Sequence, residues 1–351
     1  MIKCRGAILL MSLLAVACGG ASRRAEEAAG LYNQGNYAGA LPILQTLYDD
    51  GRRDGTSVYQ LGYCRFELDH DAGARGRTWG EAEPLLEKEI KTAGGATLER
   101  IYYLTSINAA EGDLAAVGSY ARQAIEVGEK SGDPNALTGE DWFRLGRMHD
   151  FLGEGSDAEA AYRRSVSAFD RIPAKNPTYR ALARVRVADQ MLRDQRFDEA
   201  VLAYDEALKA LPGTPHVPPY RHALALIGVG RFEEAAARFG QETDAEVVTE
   251  AQYGTDLARK AIEVAPVEAR DADGTALRDL PRETLVDRIG DAGKALRAAR
   301  EKYKLRTGDP LPAEVRDRQR RLVALLIEAM LRDGGIQALT LQIGVADLVR
   351  R

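Results

Sequence analysis

The fold is decided by the stretch QRFDEAVLAYDEA at residues 195–207, because versions of its first six residues recur along the chain. Two other clear copies are GNYAGA at 35–40 and GRFEEA at 230–235. The weaker copies are RTWGEA at 77–82, GDLAAV at 112–117 and GEGSDA at 153–158. Recurrence of one phrase at regular intervals predicts an array of similar structural units.

The spacing of the copies identifies the unit. Their central small residues fall at positions 40, 82, 117, 158, 200 and 235, so successive gaps are 42, 35, 41, 42 and 35 residues. A bare helix-pair repeat takes about 34 residues. The extra residues fit Gly-, Pro- and Asp-rich joints, such as His70 to Gly76 and Ser131 to Gly139. The spacing therefore predicts six helix pairs between about residues 25 and 243.

Upstream of the fourth copy stands Trp142-x-x-Leu145-Gly146-x-x-His149. This pattern resembles the first-helix signature of the tetratricopeptide repeat (TPR), with His149 where the family prefers Tyr. The resemblance implies an all-α, right-handed superhelical solenoid of helix hairpins over residues 25–266, which includes a degenerate unit after Glu246. In such a solenoid the first helix of each pair lines a concave groove.

Each residue type in the phrase has a physical role. A Gly or polar residue ends the first helix, because the left-handed conformation is inexpensive for Gly. The aromatic residue fills the gap between paired helices, and the small residue lets two backbones approach. A Leu at the small position would overpack the hairpin by about 1–3 kcal/mol.

Beyond residue 246 the phrase fades while helical periodicity continues. A predicted helix over residues 246–265 ends at Pro266, and a polar linker occupies residues 267–280. Pro281 fits the first turn of a further helix, and another helix follows from about Ala313 to Arg332.

A last apolar helix is predicted to run to Arg351. Repeat arrays need caps at their open ends, so we expect residues 281–351 to form a helical cap. The alternative is a dimerisation hairpin in the same segment, which would make the chain a homo-oligomer.

The N-terminus has the composition of an export signal, so residues 1–17 are set apart from the fold. Lys3 and Arg5 supply positive charge, and Gly6 to Ala17 is an apolar run of 12 residues. A bilayer span needs about 20 apolar residues, so this run is too short to cross a membrane.

The residues around Cys18 resemble the lipobox of bacterial lipoproteins, since Leu14-Ala15-Val16-Ala17 precede it and Gly19-Gly20-Ala21-Ser22 follow. The resemblance implies that Cys18 is acylated, with residues 18–24 as a flexible tether. Gly19 after the cysteine implies an outer-membrane lipoprotein facing the periplasm. The family usually has Leu where Ala15 stands, so Ala15-Val16-Ala17 also fits an ordinary cleavage site that would yield a secreted protein.

Charge and motifs exclude several function classes. Removal of residues 1–17 leaves 46 of the 48 Lys and Arg residues against 53 acidic residues, a net charge of −7. A nucleic-acid binder usually shows a basic field, so none is expected as a partner. The four histidines are scattered and no catalytic or phosphate-binding motif occurs, so we expect no enzyme activity, metal or cofactor. Cys64 lies in an apolar helix and is expected to be a buried structural thiol.

The TPR resemblance places ten residues on the concave groove, where aromatic residues suit an extended peptide or an amphipathic helix. They come from the first helices of units two to six and are Tyr59, Tyr63, Phe66, Tyr102, Phe143, Arg147, Asp150, Asp189, Arg193 and Tyr220.

These features favour a non-catalytic, membrane-anchored scaffold that binds partner polypeptides in the bacterial cell envelope, as an accessory of assembly or secretion. A sensory or regulatory module that holds a signalling partner is the first alternative. An accessory of cell-wall metabolism is the second, and it would need an acidic pair inside the groove.

Overall fold

The structure is a computed structural model, and it describes residues 22–69, 72–130, 136–171, 176–210, 217–243, 247–264, 270, 275–304 and 310–333. The predicted signal peptide, Cys18 and the predicted last helix up to Arg351 lie outside these ranges. The described residues form α-helices joined by short turns, with one isolated β-bridge between Arg270 and Ala276.

The helices follow one another as α1 (22–33), α2 (Tyr37–Asp49), α3 (Gly55–Asp69), α4 (Ala72–Ile90), α5 (Leu98–Glu111), α6 (Leu114–Glu129), α7 (Gly139–Leu152), α8 (Gly155–Asp170), α9 (Pro177–Arg193), α10 (Phe197–Ala210), α11 (Pro219–Gly228), α12 (Phe232–Phe239), α13 (Val248–Val264), α14 (Arg282–Lys302) and α15 (Ala313–Asp333).

Consecutive helices pack as hairpins, and the hairpins pack side by side. Helix α3 contacts α4, α5 contacts α6, α7 contacts α8, and α11 contacts α12. The first helices of successive pairs also contact each other: α3 contacts α5, and α5 contacts α7. This pairing is the TPR-like, all-α arrangement that the sequence predicts.

The small residue at the centre of each repeat phrase is buried at the hairpin contact. The exposed fraction is 4% for Val117 and 0% for the other five, which are Ala40, Ala82, Ala158, Ala200 and Ala235. A much larger side chain would not fit such a close-packed contact, which is why the sequence keeps the position small.

The turn that ends the first helix of a pair uses the left-handed conformation, as predicted. Gly153 has a φ of 75° at this place, and Gln195 takes the same role with a φ of 58°. The second pair differs from the prediction, because α4 begins at Ala72 rather than near Trp79. The predicted joint at His70 to Gly76 is thus mostly helix, since Arg77 supplies no left-handed turn and the helix of α4 continues toward its N-terminus.

The contacts divide the chain into two units. Unit one comprises residues 1–187 with 209–212, and unit two comprises residues 188–208 with 213–351. The division falls inside the predicted solenoid of residues 25–266, within α9. Residues 22–24, which the sequence assigned to a flexible tether, already belong to α1.

In unit two, α15 packs against α14, α13 and α11. Arg320 Nε on α15 donates to the backbone carbonyl of Val264 at the end of α13 over 2.7 Å, and Arg332 Nε pairs with Glu328 at the same distance. Pro281 is the N-cap of α14, one residue before the first turn in which the sequence placed it. A capping role for residues 281–351 stays a prediction.

Among the described residues, no helix is long and apolar enough to cross a membrane.

Candidate protein-binding surface

Helices of the first three pairs of unit one bring six tyrosines together. We call Tyr32, Tyr37, Tyr59, Tyr63, Tyr102 and Tyr103 the tyrosine cluster. Its rings form a continuous series of contacts, with centroids 5.6 Å apart for Tyr32 and Tyr63, and 4.0 Å apart for Tyr59 and Tyr103. The members lie on α1, α2, α3 and α5, so three successive helix pairs share one aromatic centre. Stacked and edge-to-face pairs of this kind contribute about 0.5–1.5 kcal/mol each beyond burial.

Burial keeps the phenols in the centre of this cluster neutral. It raises the pKa of Tyr32, Tyr59, Tyr63 and Tyr103 well above the usual value. These hydroxyls therefore stay protonated, as hydrogen-bond donors, even at alkaline pH values where an exposed tyrosine would ionise. Tyr103 donates to Glu99 over 3.0 Å and accepts from Gln60 over 3.2 Å.

Two predicted groove residues of unit one lie in its core. Tyr59 is 2% exposed and stacks on Trp79 with centroids 4.8 Å apart. Phe143 is 4% exposed and its ring meets Tyr179 edge-on at 5.2 Å. The sequence placed both on an open groove, and the structure corrects this. Rings from other helices cover them, because Trp79 and Tyr103 stack on Tyr59 and Tyr179 meets Phe143.

Two predicted groove residues of unit two are also core residues. Asp189 is 3% exposed and accepts hydrogen bonds from the Tyr204 hydroxyl and from Arg221, both over 2.6 Å. Tyr220 is 7% exposed and packs on Phe239 with ring centroids 5.5 Å apart. These side chains hold helices together and present almost no surface to a partner.

Asp150 and Arg193 differ in their surroundings. The side chain of Asp150 is 8% exposed and accepts the Tyr162 hydroxyl over 2.7 Å, so it too serves the packing of α7 on α8. Arg193 is exposed at the end of α9, in unit two.

The remaining four predicted residues lie half-buried in unit one, and we call Tyr63, Phe66, Tyr102 and Arg147 the inner-face set. Tyr63 and Tyr102 also belong to the tyrosine cluster. Arg147 is 24% exposed. Burial alone would lower its pKa, but Tyr102, Tyr162 and Asp150 outweigh that effect and raise it. Arg147 therefore lies near the Tyr102 phenol and stays fully charged.

Cations lie over aromatic rings of this surface. The Arg75 guanidinium lies 3.9 Å from the ring centre of Phe66, and Arg147 lies 4.9 Å from that of Phe151. Such contacts stabilise by about 0.5–1 kcal/mol at exposed sites. The inner-face set thus combines aromatic surface with hydrogen-bond donors and positive charge.

Sequence reasoning missed Arg144, a deeply buried charge of unit one. Its side chain is 7% exposed and pairs with Glu99 over 3.0 Å and Asp141 over 3.2 Å. A lone Arg in a helix gives no signal of burial, because Glu99 is brought to it only by folding. The arrangement fixes α7 on α5 next to the inner-face set.

Cys64 behaves as predicted. Its side chain is 0% exposed, and burial raises the pKa of the thiol to about 12. A thiol in this state is a poor nucleophile at neutral pH.

No family model and no curated protein sequence matches this chain. Among solved structures it is similar to TTC0263, a thermophilic TPR protein of Thermus thermophilus, with 20% sequence identity and a TM-score of 0.40, over 59% of this chain and 99% of that one. It is also similar to residues 1–338 of Acl4, the assembly chaperone of RpL4, with 18% identity and a TM-score of 0.35, over 69% of this chain and 96% of that one. The helix pairing described above, rather than these likenesses, shows that the chain has a TPR-like all-α fold.

Proposed function

We propose that this protein is a non-catalytic scaffold that binds partner polypeptides through the inner-face set of unit one. The observation that carries the proposal is that Tyr63, Phe66, Tyr102 and Arg147 stay partly exposed. Two of them, Tyr63 and Tyr102, contact the buried rings of Tyr59 and Tyr103. Tyrosine and arginine on a rigid base are the residues that most often dominate binding energy at protein interfaces.

The chemistry of the set favours a particular kind of partner segment. Tyr102 offers a phenol hydroxyl as a hydrogen-bond donor. Arg147 adds a permanent positive charge, which already lies 4.0 Å from the Asp150 carboxylate. Phe66 supplies apolar surface. An extended peptide or an amphipathic helix with apolar residues beside a carboxylate would satisfy all three groups at once.

A binding assay with matched variants tests this proposal. Detergent-solubilised envelopes from cells that express the native chain, Tyr102→Ala or Arg147→Gln are captured and compared by quantitative mass spectrometry. Tyr303→Ala and Arg163→Ala serve as controls, because Tyr303 is 41% exposed after α14 and the Arg163 side chain is 51% exposed on α8.

We expect partner proteins that are lost with both inner-face variants and kept with both controls. Urea unfolding of each purified variant separates loss of binding from loss of folding. Identical partner profiles for folded native and inner-face proteins would reject this surface.

We further propose that a lipid on Cys18 anchors the protein in the bacterial cell envelope, at the outer membrane facing the periplasm. Support comes from the lipobox-like sequence and from the start of α1 at residue 22. An extended residue spans at most about 3.6 Å, so this tether would hold the start of unit one within roughly 15 Å of the lipid.

Metabolic labelling with a palmitate analogue tests the anchor. The native chain and Cys4→Ala should carry the label and sediment with membranes, whereas Cys18→Ala should be unlabelled. Cys4→Ala is the matched control because it removes a cysteine from the same leader. Equal labelling of Cys18→Ala and native protein, or no label on either, would refute the anchor.

A further inference from the structure

The turn between α7 and α8 gathers three potential metal ligands that the sequence leaves apart. His149 lies in the last turn of α7, Glu154 directly precedes α8, and Asp157 lies in the first turn of α8. Gly153 reverses the chain between them in the left-handed conformation, with a φ of 75°. The Glu154 backbone N–H donates to the His149 carbonyl over 2.9 Å, which fixes the two residues relative to each other.

The donor atoms of these side chains are close enough to share one ion. His149 Nδ1 and a carboxylate oxygen of Glu154 share a hydrogen bond over 2.7 Å, which a bound ion would replace. One donor atom from each of the three residues lies within 4.8 Å of the other two. Ligand bonds to a first-row dication are about 2.1 Å, so neighbouring ligand atoms lie roughly 3.0–3.4 Å apart. The hydrogen-bonded atoms of His149 and Glu154 would separate by less than about 1 Å to reach this spacing, and the exposed Asp157 side chain would approach by less than about 2 Å.

The mixed donor set indicates the class of ion. Imidazole nitrogen with two carboxylates suits Zn²⁺ and its first-row neighbours, whereas Mg²⁺ and Ca²⁺ prefer oxygen ligands alone. The Glu154 side chain makes no capping hydrogen bond to α8, so ligation would not cost the helix its cap. Three protein ligands leave the remaining coordination positions to water.

We propose that His149, Glu154 and Asp157 form a surface site for one first-row transition-metal dication, with Zn²⁺ as the reference ion. The site is separate from the inner-face set, and it ties the end of α7 to the start of α8. Bound metal should therefore stabilise this hairpin without any requirement for a protein partner.

The test is a Zn²⁺ titration of the purified full-length protein, followed by calorimetry and by thermal unfolding. The ligand variants are His149→Gln and Asp157→Asn. The controls are His216→Gln, which removes a histidine elsewhere, and Asp198→Asn, which removes an exposed acid from the first turn of α10. We expect each ligand variant to weaken Zn²⁺ binding by about tenfold or more and to abolish the Zn²⁺-induced rise in Tm. Both controls should bind as the native protein does, and Mg²⁺ at the same concentration should not raise Tm.

Two results would overturn the proposal. One is the lack of Zn²⁺ binding by the folded native protein. The other is binding that His149→Gln and Asp157→Asn leave unchanged, which would assign the ion to other groups. Equilibrium unfolding without metal, measured for every variant, shows whether a substitution acted on folding instead. A ligand variant that does not fold is replaced by Glu154→Gln, whose side chain is 45% exposed.

Discussion

The hydroxyl of Thr178 donates a hydrogen bond to the backbone carbonyl of Gln34 over 3.0 Å, although 144 residues separate them in sequence. Thr178 lies in the first turn of α9, and Gln34 lies in the turn between α1 and α2. The first helix pair of unit one therefore contacts the start of α9 directly. The next residue of α9, Tyr179, meets the ring of Phe143, so the start of this helix also covers one predicted groove residue.

Removal of the Thr178 hydroxyl should lower the stability of unit one. Thr178→Val keeps the shape of the side chain but leaves the Gln34 carbonyl without its donor, so we expect a loss of about 1 kcal/mol in the free energy of unfolding. Urea denaturation followed by circular dichroism measures it. Thr46→Val is the control, because that exposed hydroxyl bonds to Pro42 in its own helix. Equal effects of the two substitutions would contradict a special role for the long-range contact.

Gly146 should be intolerant of a side chain. A Cβ at this position would lie 2.6 Å from ring carbons of Tyr162, so Gly146→Ala forces α7 and α8 apart. We expect destabilisation of about 1–3 kcal/mol, the usual range for overpacking. Gly80→Ala is the matched control, since a Cβ there meets nothing within 4 Å. That change removes a helical glycine and should stabilise by up to about 1 kcal/mol. Thermal unfolding measures the Tm of both variants. A Tm for Gly146→Ala at or above that of the native protein would show that α7 and α8 have room for the added methyl group.

Asp189 should act in folding rather than in binding. Asp189→Ala removes the acceptor of Tyr204 and Arg221, and we expect a loss of about 2–3 kcal/mol in unfolding free energy, as for hydrogen bonds to a charged group. Asp194→Ala, at an exposed position after the same helix, should change stability by less than about 0.5 kcal/mol. Partner capture per folded molecule should be equal for native and Asp189→Ala protein. If the Asp189→Ala protein is folded and stable but no longer captures its partner, Asp189 contributes to binding and this prediction is wrong.

Stability should fall in mild acid because of His222. Burial, followed by the nearby Arg238, lowers the pKa of this imidazole to about 4. The neutral ring accepts from Arg238 Nε at Nδ1 over 3.0 Å, and its Nε2 lies 3.4 Å from Asp205. In the unfolded chain the pKa is about 6.5, so below that pH the unfolded state binds a proton that the folded state excludes. The contribution of the neutral His222 ring to the free energy of unfolding is fully present above about pH 6.5. It is lost as the pH falls toward 4, and the loss is at most about 3 kcal/mol.

Urea unfolding at several pH values between 4 and 7.5 measures this dependence. His222→Gln lacks the titrating group, so its unfolding free energy should change less over the range than that of the native protein. Parallel pH profiles for the two proteins would show that other groups carry the acid sensitivity.

The sequence predicted which residues belong to the candidate site, but it predicted only in part which of their side chains stay exposed. The sequence assigned Tyr63 and Tyr59 to one helix face, and both do belong to the tyrosine cluster. Which of the two stays accessible depends on Trp79 and Tyr103, which stack on Tyr59 from neighbouring helices. Helical periodicity describes one helix at a time and holds no information on how closely the next pair approaches.

The sequence by itself determined the helix pairs, because short-range signals define them. The buried Ala200 and the turn at Gln195 follow from the repeat phrase alone, since helix periodicity and turn conformation depend on residues within a few positions. Only the tertiary structure decided where α4 begins, which aromatic residues are covered, and that His149, Glu154 and Asp157 share one place. These features depend on contacts between helices and across turns, and such contacts exist only after the chain has packed.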